Sequence, residues 1–232
     1  LYAWGDPVSN GPKWDPLALD TWQDQEQQAG MHHDGMHYFP LPYGSTSSER
    51  GLLVMNHEYV DNGLLFRDGF DNWSVDKVRK AQAAHGVSAI EIAFRNGRWE
   101  VVRPSSYGRR ITSYTPMRIS GPAAGDPALR TAADPTGTTV LGTVNNCAHG
   151  YTPWGTYLAC EENWNGYFVT GGTIPANQAR YGIAATSTYR WNEFDSRWDA
   201  RTNPNEPNRF GWVVEIDPFD PNSTPVKRTA LG

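Results

Sequence analysis

Three short stretches concentrate the residue types that bind metals or move protons. The densest runs from Gly142 to Phe168. It brings Asn145, Asn146, Cys147, His149, Glu161, Glu162 and Asn163 into a loop, a strand and a turn. A thiolate with carboxylates is a mixed soft and hard donor set, which suits iron or zinc better than calcium alone. The competing reading makes Cys147 and Cys160 small buried hydrophobes, or a bridge across a hairpin. On a strand starting at Gly155, Cys160 and Glu162 would share one face and Glu161 the other. The second stretch is Asn56-His57-Glu58-Tyr59, directly after the apolar run Leu52–Met55. Polar groups at the end of a buried strand must be paired or functional. A carboxylate there suits a hard cation such as calcium, or else an arginine partner. The third is His32-His33-Asp34-Gly35-Met36-His37. Its histidines and Asp34 can ligate a metal. Gly35 and Pro40 argue against the helix that would align His33 with His37, and an Asp-Gly turn is the plain alternative.

Other chemistries lack their signatures. The chain has no G-x-S-x-G elbow, phosphate-binding loop, G-x-G-x-x-G, H-E-x-x-H or C-x-x-C, so nucleophilic serine chemistry and nucleotide binding have no support.

The elements that must carry these stretches are mostly short strands. Gly51–Met55, Val87–Phe94, Trp99–Val102, Thr138–Val144, Gly155–Glu162, Ser187–Trp191 and Gly211–Asp217 read as strands. Arg95-Asn96-Gly97-Arg98 is a hairpin turn. The one good helix runs from Ser74 to His85, with Ser74 as cap and Gly86 as stop. Its weak apolar stripe suggests a surface insertion, taken as about 62–86. Strands on short loops, with scattered Trp and Gly, point to an all-β sandwich or β-propeller.

Composition narrows the partners. The 232 residues carry 20 Lys+Arg and 25 Asp+Glu, a formal net charge of -5. That acidity, with no basic run, argues against nucleic acid or an anionic membrane as partner. No apolar run approaches the ~18 residues of a membrane span. Two cysteines cannot build a disulfide scaffold. The ten tryptophans leave room for a non-enzymatic reading, a secreted module whose Trp-rich loops contact sugars or proteins.

Asn145 to Phe168 resembles the signature of the PhoX family of bacterial alkaline phosphatases. His33–Leu41, Leu53–Tyr59, Ser120–Gly125 and Gly211–Pro218 resemble that family in the same order. The resemblance implies a six-bladed β-propeller with helical additions, hydrolysis of phosphate monoesters at alkaline pH, a cofactor of two irons and three calcium ions, and twin-arginine export to a periplasmic or secreted location. The signal segment for that export is not among residues 1–232 and is expected outside them. Carried over by position, Cys147 matches an iron-binding cysteine, Glu162 a metal-binding glutamate and Glu58 a calcium-side carboxylate. Glu161, Asn56, Asp34 and His33 are near matches. Asp126 stands where the pattern leads one to expect a histidine.

Family members are longer than this chain. The expectation is therefore one propeller domain over 1–232, about three or four blades of it, with the remaining ligands and a phosphate-binding arginine in the rest of the protein. A different enzyme on such a scaffold, a calcium-dependent phosphodiesterase, phytase or lactonase, would use Glu58 and neighbouring Asn residues without iron or Cys147.

Overall fold

The structure, a computed structural model, describes residues 1–231. A short helix α1 (Trp22–Gln25) precedes the first sheet. That sheet comprises β1 (His33–Pro40), β2 (Arg50–His57), β3 (Gly86–Arg95), β4 (Arg98–Val101) and β5 (Arg109–Ile111). The order is β1-β2-β3-β4, with β5 also pairing β3, and every pair is antiparallel. The β3–β4 hairpin forms because Asn96 and Gly97 adopt φ of +52° and +80°. Both central positions of that turn need the left-handed region, which Asn and Gly tolerate best.

Helices α2 (Asn62–Leu65) and α3 (Val75–Ala83) fill the segment between β2 and β3. Ser74 caps α3, its hydroxyl accepting from the Lys77 N–H at 3.3 Å. Gly86, at φ +102°, turns the chain from α3 into β3. A Cβ there would lie 2.0 Å from the Ile111 carbonyl oxygen, so only glycine fits. The surface position suggested by the weak stripe does not hold. Val78 and Ala81 are fully buried, because small alanines rather than a broad apolar face let α3 lie close against α1 and the sheet.

The second sheet comprises β6 (Pro116–Ser120), β7 (Thr139–Leu141), β8 (Asn146–Tyr151), β9 (Tyr157–Glu161), β10 (Val213–Ile216) and β11 (Val226–Arg228). Its order is β7-β6-β11-β10-β9-β8, antiparallel except where β11 runs parallel to β6. The fold is thus mostly β, in two sheets, and neither closes into a barrel among the described residues. Edge strand β1 of the first sheet packs beside edge strand β8 of the second. One apolar core runs under both, from Leu52, Val54 and Val87 to Tyr157, Val214 and Ile216.

Two sheets rather than three or four blades form, because residues 162–212 make no regular ladder. They form 3-10 turns and one helix, α4 (Ala176–Tyr181). The strand expected at Ser187–Trp191 is absent. Arg190 sits at φ +57°, outside extended geometry, and its neighbours Tyr189 and Trp191 pack on Tyr167 at 3.9 and 4.8 Å between ring centroids. Phe168, Trp191, Trp198 and Phe210 extend this aromatic cluster. Aromatic burial replaces strand pairing as what orders the segment. This also corrects the tryptophan-rich binding face: among the described residues Trp154 alone is an exposed tryptophan.

The loop before β7 hangs on one carboxylate. Asp134 accepts from the backbone N–H groups of Thr136, Thr138 and Thr139 at 2.8 to 3.1 Å. Burial alone would raise its pKa. Hydrogen bonds from the Thr136 side chain and the three amides outweigh that and hold it at about 2. A lowered folded pKa means that the stabilisation exists above the unfolded value and is lost as pH falls through the folded one. Replacing Asp134 by Asn should therefore lower stability by about 2 kcal/mol at pH 7. That deficit should shrink to about half by pH 3. Urea unfolding of both proteins across this range checks it, and a pH-independent difference would refute the assignment.

Candidate metal centre

The site forms where β1 meets β8, and both strands depart from regular pairing there. In β1, His33 pairs with His57 but Met36 pairs with Met55, so Asp34 and Gly35 together face Asn56 of β2. In β8, Asn146 pairs with Glu161 but His149 pairs with Ala159, so Cys147 and Ala148 together face Cys160 of β9. Each is a β-bulge, a device that bends a strand and re-aims a side chain. The bulges oppose each other closely. A Cβ on Gly35 would lie 2.8 Å from the Cys147 carbonyl oxygen and 2.9 Å from the His149 Cβ.

Donor atoms of Asp34, Glu58 and Cys147 all lie within 4.8 Å of one another. Among the described residues they are the one group of three or more His, Cys, Asp or Glu donors placed so closely. Glu58 follows β2 directly, and its N–H donates to the His32 carbonyl at 3.0 Å. Glu162 follows β9, its N–H donating to the Asn145 carbonyl at 2.9 Å. Its carboxylate faces the same group: those of Glu162 and Asp34, placed to accept from the thiol, push the Cys147 pKa up, with burial adding to them. Burial, then the charges of Asp34 and Glu162, pushes Glu58 up as well. No lysine or arginine among the described residues pairs with Asp34, Glu58 or Glu162. Mutually facing acids without a counter-charge are what a cation site presents.

The other candidates lie elsewhere. Strand alternation turns Glu161 away from Glu162. Its carboxylate takes Lys227 Nζ at 2.7 Å and the Gly211 and Trp212 N–H groups at 2.9 and 3.2 Å, all in the interior of the second sheet. The three histidines diverge, because the stretch is a strand and not a helix. His32 stacks on Tyr59 at 4.0 Å, His33 lies beside Tyr2 and His57, and His37 stacks on Tyr151 at 4.0 Å. Burial lowers the pKa of His33 and of His37, the latter with help from His149. Asn56 is fully buried and holds backbone instead of facing the donors: its Nδ2 donates to the Cys147 and Ala148 carbonyls at 2.7 and 3.2 Å. Asp126 caps a turn by accepting from the Ala128 N–H at 2.8 Å. Both cysteines are free thiols, which excludes the hairpin bridge.

One residue at the seam escaped the sequence reading. Tyr157 of β9 is fully buried, and its hydroxyl lies 2.8 Å from the Gly35 carbonyl and 3.0 Å from Asn56 Oδ1. A tyrosine in an alternating strand reads as core, and nothing in its neighbourhood marks a hydroxyl that crosses between sheets.

A family model described as alkaline phosphatase PhoX matches residues 1–232. The chain belongs to the PhoX family. A solved structure of Pseudomonas fluorescens PhoX, in complex with vanadate, a transition state analogue, superimposes with a TM-score of 0.95 at 49% sequence identity. The match covers 100% of this PhoX-family chain and 40% of that one, so the chain spans well under half the length of its solved relative. No curated protein sequence matches it.

The Glu161–Lys227 pair gives a stability prediction separate from the metal centre. Both side chains are fully shielded from solvent. Lys227→Met strands the Glu161 charge and should lower unfolding free energy by about 3–5 kcal/mol. A loss below about 1 kcal/mol in urea unfolding would show that Glu161 does not depend on this partner.

Proposed function

We propose that the protein to which this chain belongs is a metal-dependent phosphatase acting on phosphate monoesters. The observation that carries the reading is the convergence of the Asp34, Glu58 and Cys147 donors, with Glu162 beside them and no cationic side chain to balance them. The donor set fits the group the family implies: a thiol for iron and oxygen donors for calcium. Cys147 and Glu162 would hold iron, and Glu58 and Asp34 would serve the calcium side. Two irons and three calcium ions are the complement proposed, with further ligands from the rest of the protein. His33, Asn56 and Glu161 are not proposed as ligands, given the partners described above. When bound, these ions supply Lewis acidity toward phosphoryl oxygens and reverse the sign of the local field.

The chain's own residues do the rest by position. Without cations, the three carboxylates would repel a phosphate dianion. Cys147 is built as a ligand and not as a nucleophile, since a nucleophilic thiol needs a cationic neighbour and this one has carboxylates. The solved relative's complex with vanadate supports phosphoryl transfer as the reaction class. An oxygen-only calcium enzyme acting on diesters, phytate or lactones would have no use for a thiol at the centre of the cluster. The two sheets are read as neighbouring blades of a six-bladed propeller, one domain spanning 1–232, with β1 and β8 as inner strands and the helical segment at 62–86 as an insertion. A periplasmic or secreted location after twin-arginine export accompanies the reading.

Metal analysis of the purified protein, with activity on p-nitrophenyl phosphate, tests this. The protein should contain iron and calcium and hydrolyse the monoester well above bis-p-nitrophenyl phosphate or a lactone. Cys147→Ser should lose iron and at least about 100-fold in kcat, while Cys160→Ser should keep both. Monoester hydrolysis undiminished in an iron-free Cys147→Ser protein would overturn the proposal.

A further inference from the structure

The ligand set is split between the two sheets. Asp34 and Glu58 belong to the first, Cys147 and Glu162 to the second. Their spacing is therefore set by whatever holds β1 against β8. Two buried side chains do so with polar contacts. Each bulge frees backbone carbonyls from its own ladder. In β8 these are the carbonyls of Cys147 and Ala148, and Asn56 Nδ2 reaches across from the first sheet to both. In β1 it is the carbonyl of Gly35, and the Tyr157 hydroxyl reaches across from the second sheet to it. Asn56 and Tyr157 also meet each other at 3.0 Å, which closes the arrangement. Both are fully buried, so no solvent can replace a lost partner.

We propose that Asn56 and Tyr157 form a crossed lock that sets the separation of the two bulges and thereby holds Asp34 and Cys147 at the spacing the metal cluster needs. Neither touches substrate in this scheme; both are positioning residues. The idea rests on the metal-centre reading for its effect on iron, but the lock itself is a property of the seam. Each lock residue holds backbone at or beside a ligand on the facing sheet. Asn56 fixes the peptide carbonyl of Cys147 itself, and Tyr157 fixes that of Gly35, the residue after Asp34. Outer-shell partners of this kind commonly change metal affinity 10–100-fold when removed.

The test uses the intact, metal-loaded protein and three variants: Tyr157→Phe, Asn56→Leu and, as a control in the far part of the second sheet, Val140→Ala. Iron retention is followed in a chelator titration by metal analysis and visible absorption. Peptides covering 33–37 and 146–149 are followed by amide hydrogen exchange after the metals are stripped. Tyr157→Phe and Asn56→Leu should release iron at about 10–100-fold lower chelator concentration and lower kcat with little change in KM. In the stripped proteins both peptides should exchange about tenfold faster or more. Val140→Ala should lose thermal stability while matching wild type in both measurements. Iron release and exchange at wild-type levels in Tyr157→Phe would overturn the lock. So would equal changes in Val140→Ala, since the effect would then be general destabilisation. A wild-type protein without bound metal would instead sink the metal-centre reading, and the exchange measurement would still decide the lock.

Discussion

The constraint on which the site depends is electrostatic. Two carboxylates and a thiol are gathered around one point, with the Glu162 carboxylate nearby and no internal cation. At ~5 Å and an effective dielectric near 20, two like charges repel by about 3 kcal/mol. An isolated loop would relieve that by swinging one side chain into water. Here the backbones that carry the donors are fixed to strand edges and strand ends over a common core, so only side-chain rotation remains to relieve it. The group then responds by raising its pKa values, as Glu58 and Cys147 do, or by taking up a cation.

That arrangement needs a rigid frame at some distance from the charges, and the second sheet supplies it in an unusual way. Between its paired strands β9 and β10 the chain leaves the ladder for some fifty residues. They are ordered by an aromatic cluster around Tyr167, Trp191 and Trp198, not by strands. His85 at the end of α3 bonds the Tyr167 hydroxyl at 2.9 Å, and Asn145 donates to the same hydroxyl at 3.1 Å. The cluster is thereby tied both to the helical segment of the first sheet and to the residue two before Cys147. Burial far from the site and placement at the site are parts of one packed unit.

Legibility in the sequence followed locality. The Asn96-Gly97 turn and the Ser74 cap depend on a few adjacent residues, and both are visible in the chain. Asp34, Glu58, Cys147 and Glu162 stood out by chemical type, and the family resemblance ordered them. What could not be read was anything set by pairing across long separations. Alternation puts Glu161 and Glu162 on opposite faces, but which of them meets a lysine is settled only when β11 brings Lys227 under Glu161. Ser187–Trp191 alternates like a strand, but its aromatics had partners to pack on other than a ladder. The bulges are invisible because a one-residue excess shows only against the partner strand, and Tyr157 has a role only once the two sheets meet.

The paired bulges also bear on how such a chain can vary in length. Side chains on a strand alternate, and the pairs that flank each bulge already share a face, so removing one bulged residue would restore a regular ladder without turning its neighbours and would cost the re-aimed side chain alone. In β1 that change would return Asp34 to the regular position opposite Asn56; in β8 it would return Cys147 to the one opposite Cys160. Length changes are better tolerated in a loop that carries no bulge, such as the exposed residues 46–49. The length of the two edge strands is as much a determinant of the site as the identity of the residues on them.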